Sequence, residues 1–288
     1  MLWAAGAAAV EPLGPHQLSE QIETVFRVRA VDASRRVNYG SAVLIAPGKL
    51  VTTCHVTRAA QSIQVSQADM TWSALASFAD IPHDLCVLSA PGVTRSAPAA
   101  IGAADDLKVG AKVTAVGYRV GGKLAIASGS IKALHPYHTA PVLQVSSPFD
   151  PGQSGGALFD AEGRLVGITA FKAVAGGDFH FALPPQWLPE SVLRDDTLVE
   201  GSQDTREKAF WERARGDQPL FLRAASLEAA GEWDALYTVA REWVRVDQAN
   251  PASWLALARA YARLKQADDA AEASRRAAWV AQSAASRR

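Results

Sequence analysis

The sequence predicts a mainly β protein followed by a small all-α region, and three observations support this. Residues 23–184 contain about a dozen short apolar runs, many of them bounded by Gly, Pro, Asn or Asp pairs. Residues 189–204 form a mixed connector that contains Asp and Ser. From residue 205 onward Gly and Pro become rare, and Ala, Leu, Glu and Arg recur at helical spacing. We therefore expect an all-β sandwich or barrel arrangement over residues 19–188, a linker over 189–204 and a helical region over 205–288.

The β region can be divided into individual strands. Residues 25–31 alternate apolar and polar side chains, which is typical of a half-buried strand. Residues 105–110 are expected to form a surface turn that joins two halves of this region. The other predicted strands cover residues 41–46, 50–53, 72–78, 85–88, 112–118, 123–131, 142–145, 157–159, 164–171 and 179–183.

The helical region contains a repeat. Asn250 and Pro251 open a segment with apolar residues at helical spacing, and a similar pattern occurs 34 residues earlier. This period resembles the tetratricopeptide repeat, and the alternative is an unrelated bundle of α-hairpins. Two copies, preceded by a helix expected around residues 207–215, are few for a free-standing solenoid. We therefore expect the region to pack on the β region or on another subunit, and the repeats are a candidate surface for a protein partner.

Composition limits the function classes. The 288 residues include 29 Lys and Arg and 29 Asp and Glu, a balance that argues against a nucleic-acid groove or a basic membrane-binding surface. No apolar run is long enough to span a bilayer. The histidines and acids lack metal-site spacing, and no Gly-rich loop follows a strand to hold phosphate. We therefore expect no cofactor and no metal.

Residues 1–18 begin with a stretch of small and apolar residues. An Ala-x-Ala pattern at Ala7 and Ala9 resembles the end of a secretory signal, and the alternative is an Ala-rich disordered tail. The signal interpretation predicts a periplasmic or secreted protein, and the tail interpretation allows a cytoplasmic one.

A serine between glycines, in residues 150–158, is the strongest candidate for a functional loop. Gly152, Gln153, Ser154 and Gly155 could form nothing more than a tight turn between two strands. Alternatively, the amides of Gly152 and Ser154 could hold the oxyanion that forms when the Ser154 hydroxyl attacks a carbonyl. The second interpretation requires a base and an orienting acid elsewhere in the chain.

His55 and Asp84 are candidates for these two roles. His55 ends an apolar strand where the chain turns, and Asp84 stands immediately before a fully apolar strand. A serine hydroxyl is a poor nucleophile, so an imidazole must accept its proton and a carboxylate must orient that imidazole. The order base, acid, nucleophile in His55, Asp84 and Ser154 predicts a catalytic triad.

The motifs around these residues resemble the trypsin-like serine peptidases of the HtrA/Deg type over roughly residues 19–186. The resemblance implies a chymotrypsin-like fold of two six-stranded β-barrels, with the active site between them and the Gly152 and Ser154 amides as the oxyanion hole. It also implies that Thr169 supports the aspartate and pairs with the substrate backbone. Phe149, Phe171 and Lys172 would form walls of a shallow specificity pocket that favours a small apolar side chain. The motifs that carry the resemblance are residues 40–42, 51–56, 84–88, 152–158, 163–168 and 181–184.

The sequence departs from that family in three further places. Gln153 replaces the aspartate of zymogen-type trypsins, so activation by N-terminal cleavage is not expected. Cys54 and Cys86 stand where the family usually has alanine, and they form either a disulfide or two buried thiols. Helical repeats replace the PDZ domains that many HtrA-type proteins carry.

We therefore predict a serine endopeptidase that acts on protein or peptide substrates through an acyl-enzyme. The alternative is a protein-binding scaffold or chaperone-like adaptor that uses the helical repeats and retains a dormant peptidase fold.

Overall fold

A computed structural model describes residues 14–172, 179–194 and 207–285. Its β strands form two closed six-stranded barrels, in the spatial orders β1-β2-β3-β6-β5-β4 and β10-β11-β12-β9-β8-β7, and every pairing between neighbouring strands is antiparallel. The predicted fold class is thereby confirmed, including the helical region that follows the barrels.

The first barrel contains the strands in which the sequence showed alternation. In β1, Phe26 and Val28 are fully buried in one core cluster of the first barrel. Pro47 and Gly48 form the turn that joins β2 to β3, and Gly48 has a φ of 68°, a conformation that glycine adopts without steric cost. The strands are β1 (Val25–Asp32), β2 (Val37–Ala46), β3 (Lys49–Thr53), β4 (Ala60–Gln67), β5 (Met70–Asp80) and β6 (Leu85–Ser89).

The second barrel follows a connecting segment, residues 90–111, that includes the expected surface turn. Its core contains fully buried side chains such as Ile131, Leu143 and Leu158. The strands are β7 (Lys112–Tyr118), β8 (Leu124–His135), β9 (Val142–Val145), β10 (Ala157–Phe159), β11 (Leu165–Lys172) and β12 (His180–Leu183).

The helices lie mostly after the barrels. In α6 the Asn250 side chain caps the helix by accepting a hydrogen bond from the Ala252 amide at 3.0 Å, and Pro251 is the first helical residue, as its sequence predicts. The helices are α1 (Pro15–Ile22), α2 (Cys54–Thr57), α3 (Glu190–Arg194), α4 (Leu220–Ala230), α5 (Trp233–Val246), α6 (Pro251–Arg263) and α7 (Ala267–Ala285).

The C-terminal helices pack on the second barrel, which confirms that expectation. Phe221 of α4 stacks on His135 of β8, with ring centroids 4.4 Å apart and an interplanar angle of 7°, and Phe221 also contacts Phe181 of β12. One hydrophobic cluster includes residues of both barrels and of α4 to α6, so the helical region shares a core with the β region. The assignment of this region to the tetratricopeptide repeat remains a prediction. It is consistent with helices α5 and α7, which start at Trp233 and Ala267 and so are separated by the predicted period of 34 residues.

Other expectations about the ends and connections need revision. The helix expected over residues 207–215 is wrong, because residues 207–214 form an irregular segment with a turn at residues 210–212. Helix α1 begins within the expected tail, and α3 lies at the start of the expected linker. The predicted signal or Ala-rich tail falls largely on residues 1–13, which are outside the described part of the chain. Among the described helices, none combines the length and apolarity needed to cross a membrane.

Candidate active site

The first barrel brings His55 and Asp84 together through a strand pair. Strand β3 ends at Thr53 and leads directly into α2, so His55 follows the rigid end of a barrel strand. Strand β6 begins opposite that end, with Thr53 aligned to Leu85. Asp84, the residue before Leu85, therefore lies beside the histidine, and the sequence placed both residues at these strand ends.

His55 and Asp84 make two hydrogen bonds with each other. The His55 Nδ1 atom lies 2.7 Å from Asp84 Oδ2, and the His55 backbone amide donates to Asp84 Oδ1 at 2.8 Å. The imidazole is 20% exposed, whereas the carboxylate is completely buried. Asp84 also has a φ of 61°, an uncommon backbone conformation for a residue with a Cβ. The Nδ1 hydrogen bond to Asp84 orients the imidazole ring and leaves Nε2 as the ring nitrogen that does not face the carboxylate.

A disulfide lies next to the pair. Cys54 and Cys86 are bonded, with their Cα atoms 4.9 Å apart, and this resolves the alternative that the sequence left open. Cys54 precedes His55 directly, and its amide donates to the Asp84 carbonyl at 3.2 Å. The covalent bond therefore joins the two chain segments that carry the histidine and the aspartate.

Electrostatics favour the protonated form of the imidazole. Burial by itself lowers the pKa of His55, but the charge of Asp84 and its hydrogen bond outweigh burial. The pKa of His55 consequently lies above the ordinary histidine value. An imidazolium that forms here while accepting a proton is stabilised by the carboxylate behind it.

The second barrel supplies the serine on the loop between β9 and β10. Gly152 has a φ of 95°, which glycine tolerates, and its carbonyl accepts a hydrogen bond from the Ser41 hydroxyl at 3.0 Å. The Ser41 amide donates to the Ser154 carbonyl at 2.8 Å. The Ser41 hydroxyl also accepts from the Tyr118 amide at 2.8 Å, so one buried side chain ties β2 of the first barrel to the serine loop and to β7.

The serine loop also lies against the strand that leads to His55. The Thr52 hydroxyl donates to the Ser41 carbonyl at 2.7 Å. A Cβ added to Gly155 would collide with that carbonyl and with Thr52 Oγ1, so the loop can approach β2 and β3 only because residue 155 is glycine. These contacts bring the backbone at Ser154 to the same edge of the first barrel from which His55 projects.

The Ser154 hydroxyl does not yet bond the imidazole. It donates to the Ala170 carbonyl of β11 at 2.9 Å, and the described side chains of Ser154 and His55 share no hydrogen bond. The amides of Gly152 and Ser154 have no acceptor within the described part of the chain. The sequence predicted these two amides as the oxyanion donors, and they are available for that role.

The four residues expected to bind substrate have different surroundings. Phe149 and Phe171 are almost fully buried, and Phe149 contacts His180 with ring centroids 4.8 Å apart. Phe171 stacks on Phe181 at one side, and Lys172 is exposed at the end of β11.

For Thr169 the expectation is wrong. Its hydroxyl donates to the Gln153 carbonyl at 2.5 Å, and its backbone amide and carbonyl bond Gly156 and Gly155 of the serine loop. Thr169 therefore supports the serine loop, not Asp84, and its backbone groups are already paired within the chain.

Two contacts from the segment after the barrels lie at the site, and the sequence analysis predicted neither of them. Trp211 donates from Nε1 to Asp84 Oδ2 at 3.0 Å, and Glu212 forms a two-bond ion pair with Arg58 at 2.5 and 2.6 Å. The only sequence signal is an aromatic pair, Phe210 and Trp211, in an otherwise polar connecting stretch. Among the described residues, no cluster of His, Cys, Asp and Glu is arranged to hold a metal ion.

Two antiparallel six-stranded barrels, with a histidine–aspartate pair on one and a serine loop on the other, define the chymotrypsin-like class of fold. Residues 40–168 match the trypsin-like peptidase domain family. The double-barrel part of this chain is therefore similar to trypsin-like peptidase domains, including those of the HtrA-type serine proteases.

Three known proteins illustrate that relationship. Protease Do-like 1, chloroplastic, of Arabidopsis thaliana is 34% identical over 173 residues, which cover 55% of this chain and 38% of that protein. A probable periplasmic serine endoprotease, DegP-like, of Halomonas elongata is 31% identical over 161 residues, which cover 53% of this chain and 34% of that protein. The solved structure of the HtrA-type protease AlgW with a tripeptide matches with a TM-score of 0.56 and 28% identity, over 62% of each chain.

The trypsin-like family match does not include the helical region. The chain spans well under half the length of the curated relatives described here, and its trypsin-like family match ends at residue 168. The C-terminal helices are therefore understood from their own contacts and not by analogy.

Proposed function

We propose that this protein is a serine endopeptidase that hydrolyses peptide bonds through a triad of His55, Asp84 and Ser154. The observation that carries the proposal is the His55–Asp84 pair, with Nδ1 and Oδ2 2.7 Å apart and the carboxylate fully buried, at the barrel edge that packs against the serine loop. A purely structural histidine does not need a fully buried carboxylate behind its ring.

In the proposed reaction, a rotation about the Cα–Cβ bond of Ser154 moves its hydroxyl from the Ala170 carbonyl to His55 Nε2. His55 then accepts the hydroxyl proton while Ser154 Oγ attacks the substrate carbonyl, and Asp84 stabilises the imidazolium. The proton passes to the leaving amine as the peptide bond breaks and the acyl-enzyme forms. Water, deprotonated by the same imidazole, hydrolyses the acyl-enzyme and restores Ser154.

The developing oxyanion would be held by the amides of Gly152 and Ser154. Both N–H groups lack acceptors in the described part of the chain, and the loop backbone that carries them is fixed through Ser41 and Thr169. Donors that are already oriented stabilise the transition state without reorganisation, and losing one such donor typically costs about 10²–10³-fold in kcat.

The proposed substrates are proteins or peptides, in line with the names of the relatives and with the tripeptide present in the AlgW structure. Phe149 and Phe171 would narrow the specificity pocket, so a small apolar side chain is the proposed preference. Lys172 would lie at the rim of the groove, where it could contact an acidic substrate group.

A periplasmic or secreted location is proposed for this chain. The Halomonas elongata relative is named as probably periplasmic, and the Cys54–Cys86 disulfide is of the kind that persists in oxidising compartments.

A fluorophosphonate probe tests the proposal without knowledge of the natural substrate. Such a probe phosphonylates an activated serine, so intact-mass analysis should show one adduct on the native protein and none on Ser154→Ala. His55→Ala, which retains the serine, should also remain unlabelled over the same time. A matched control is Ser146→Ala, because Ser146 begins the loop between β9 and β10, its side-chain hydrogen bonds to described residues are all with Ser130, and it lies outside the proposed triad. Absence of an adduct on the native protein at neutral pH would contradict the proposal.

A further inference from the structure

Trp211 makes three contacts inside the candidate active site, although it lies 127 residues after Asp84. Its indole Nε1 donates to Asp84 Oδ2 at 3.0 Å. Its ring meets the His55 ring edge-on, with centroids 5.3 Å apart and an interplanar angle of 87°. On the other side it stacks on Phe171 at 4.8 Å and 16°. One side chain from the segment before the helices thus touches the acid, the base and the neighbouring strand.

The hydrogen bond matters because of what Asp84 requires. A fully buried carboxylate loses its water shell, and each oxygen left without a donor is costly. Asp84 Oδ1 accepts from the His55 amide, and Oδ2 accepts from both His55 Nδ1 and Trp211 Nε1. An indole N–H can only donate, so Trp211 supplies a donor to this oxygen and cannot accept the proton of the imidazole.

The segment that carries Trp211 is fixed on both sides of it. The Phe210 amide donates to the Pro82 carbonyl at 3.0 Å, two residues before Asp84, and the Phe210 side chain is fully buried. The Glu212 carboxylate bonds Arg58, which follows α2, through two nitrogens. Burial raises the pKa of Glu212, but the Arg58 bonds outweigh it, so the pKa lies below its ordinary value and the pair stays charged near neutral pH.

Trp211 is also connected to the helical region. Gln218, which precedes α4 by two residues, donates from Nε2 to the Trp211 carbonyl at 2.7 Å. Helix α4 in turn stacks on the second barrel through Phe221. Trp211 is therefore held from the helical side as well as from the first barrel, and its position depends on both.

We propose that Trp211 is a positioning residue of this active site. It is supplied by the segment that leads into the C-terminal helices. Its indole N–H holds the Asp84 carboxylate in the orientation that bonds His55. The proposal rests on the proposed peptidase function. It makes the C-terminal region part of the catalytic centre, and it separates two roles of one side chain: the N–H acts on Asp84, and the ring forms a wall beside His55 and Phe171.

Two variants separate these roles. Trp211→Phe keeps an aromatic ring but removes the N–H, whereas Trp211→Ala removes both. The matched control is Trp254→Phe in α6, because its Nε1 also donates a hydrogen bond, at 3.0 Å to the Gln248 carbonyl, and it lies outside the candidate site. Thermal unfolding of each variant shows whether its fold is retained.

The first measurement is the rate of Ser154 phosphonylation at several concentrations of the fluorophosphonate probe, which gives a maximal rate and an apparent affinity. Trp211→Phe should lower the maximal rate by roughly tenfold, within the range expected for a hydrogen bond to a charged group, while the apparent affinity changes less than about twofold. Trp211→Ala should lower both, and Trp254→Phe neither. A purely structural role predicts that Trp211→Phe behaves like the native protein, so that result would overturn the proposal.

The second measurement does not depend on activity. In a ¹⁵N-labelled sample the Trp211 indole N–H resonance is identified by its absence in Trp211→Phe, and its shift is followed against pH. Because the N–H bonds the oxygen that also bonds His55, its shift should change with the protonation of His55, and the Trp254 resonance should not. If the native protein is never phosphonylated, the peptidase proposal fails, but this titration still decides the placement of Trp211. A Trp211 resonance that does not respond to His55 protonation would overturn the inference.

Discussion

The two barrels differ in whether the side chains of the candidate site already make the hydrogen bonds that the proposed triad requires. On the first barrel, His55 and Asp84 are joined by two hydrogen bonds, flanked by a disulfide and backed by Trp211. On the second barrel, the backbone of the serine loop is fixed, but the Ser154 hydroxyl bonds the Ala170 carbonyl. Of the proposed triad, the His55–Asp84 pair is therefore already hydrogen-bonded, whereas the Ser154 hydroxyl bonds a backbone carbonyl instead of His55.

The difference follows from which atoms make the contacts. The acid–base pair depends on side-chain groups with few alternatives, because a buried carboxylate must keep its donors. A serine hydroxyl can exchange one acceptor for another at little cost, since rotation about a single bond is all that is required. In the proposed mechanism, the Ser154 hydroxyl exchanges the Ala170 carbonyl for His55 Nε2.

The largest expected effect comes from breaking the acid–base half. Asp84→Asn should lower the Ser154 phosphonylation rate on the order of 10⁴-fold, because an amide in place of the carboxylate no longer fixes the reactive tautomer. Asp80→Asn is a matched control, since Asp80 pairs with His83 at 2.8 Å in the same Nδ1–Oδ2 geometry. Similar losses in the two variants would show that the His55–Asp84 pair has no special role.

The next effect tests the fixed backbone of the serine loop. Gly155→Ala should destabilise the fold by more than about 4 kcal/mol, because the new Cβ would collide with the Ser41 carbonyl in addition to straining the backbone. The control is Gly110→Ala. Gly110 has a φ of 92°, close to the 85° of Gly155, but a Cβ added to it would meet open space, so only the backbone strain of about 1–2 kcal/mol is expected to reduce the free energy of unfolding. Denaturant unfolding compares them, and equal losses would mean that the loop is not packed tightly against β2.

The third prediction concerns the contribution of the disulfide, which lies within the first barrel, to the stability of the fold. Cys54 and Cys86 are 32 residues apart, so losing their bond should reduce the free energy of unfolding by about 3–4 kcal/mol through loop entropy. The measurement is denaturant unfolding with and without a reductant. The double variant Cys54→Ala, Cys86→Ala should be insensitive to the reductant, and a native protein equally insensitive would contradict the role of the disulfide.

The smallest expected effect concerns pH. Because Asp84 raises the pKa of His55 and the reaction needs the neutral imidazole, the phosphonylation rate should be lost as pH falls through a midpoint above about 6.5. A rate profile between acid and weakly alkaline pH measures the midpoint. A midpoint below the ordinary histidine value would mean that burial, not Asp84, governs the imidazole.

The sequence predicted correctly those features of the fold and site that depend on short stretches of the chain. Strand-end positions for His55 and Asp84, and glycines around Ser154, are properties of short stretches, and their placement in the structure follows from them. Strand β4 is absent from the predicted strands because only Ile63 and Val65 of its eight residues are buried apolar side chains. Its alternation is therefore too weak to recognise without the neighbouring strands.

Contacts between segments that are distant along the chain could not be predicted from the sequence. The sequence predicted Trp211 to lie in a helix over residues 207–215, and nothing in its local pattern shows that it reaches Asp84. The same holds for the resting hydrogen bond from Ser154 to Ala170, and for Thr169, whose hydroxyl bonds the serine loop. Each of these depends on how the barrels and the helical region pack together, which periodicity and spacing do not encode.

The most direct test of the peptidase proposal is cleavage of an unfolded protein. Native protein is incubated at neutral pH with a reduced, alkylated and unfolded polypeptide, and new N-termini are identified by mass spectrometry. The native protein should generate internal cleavage products, and Ser154→Ala, purified in parallel, should generate none. Products of equal amount and position with both proteins, or no products with the native protein, would contradict the proposed serine endopeptidase.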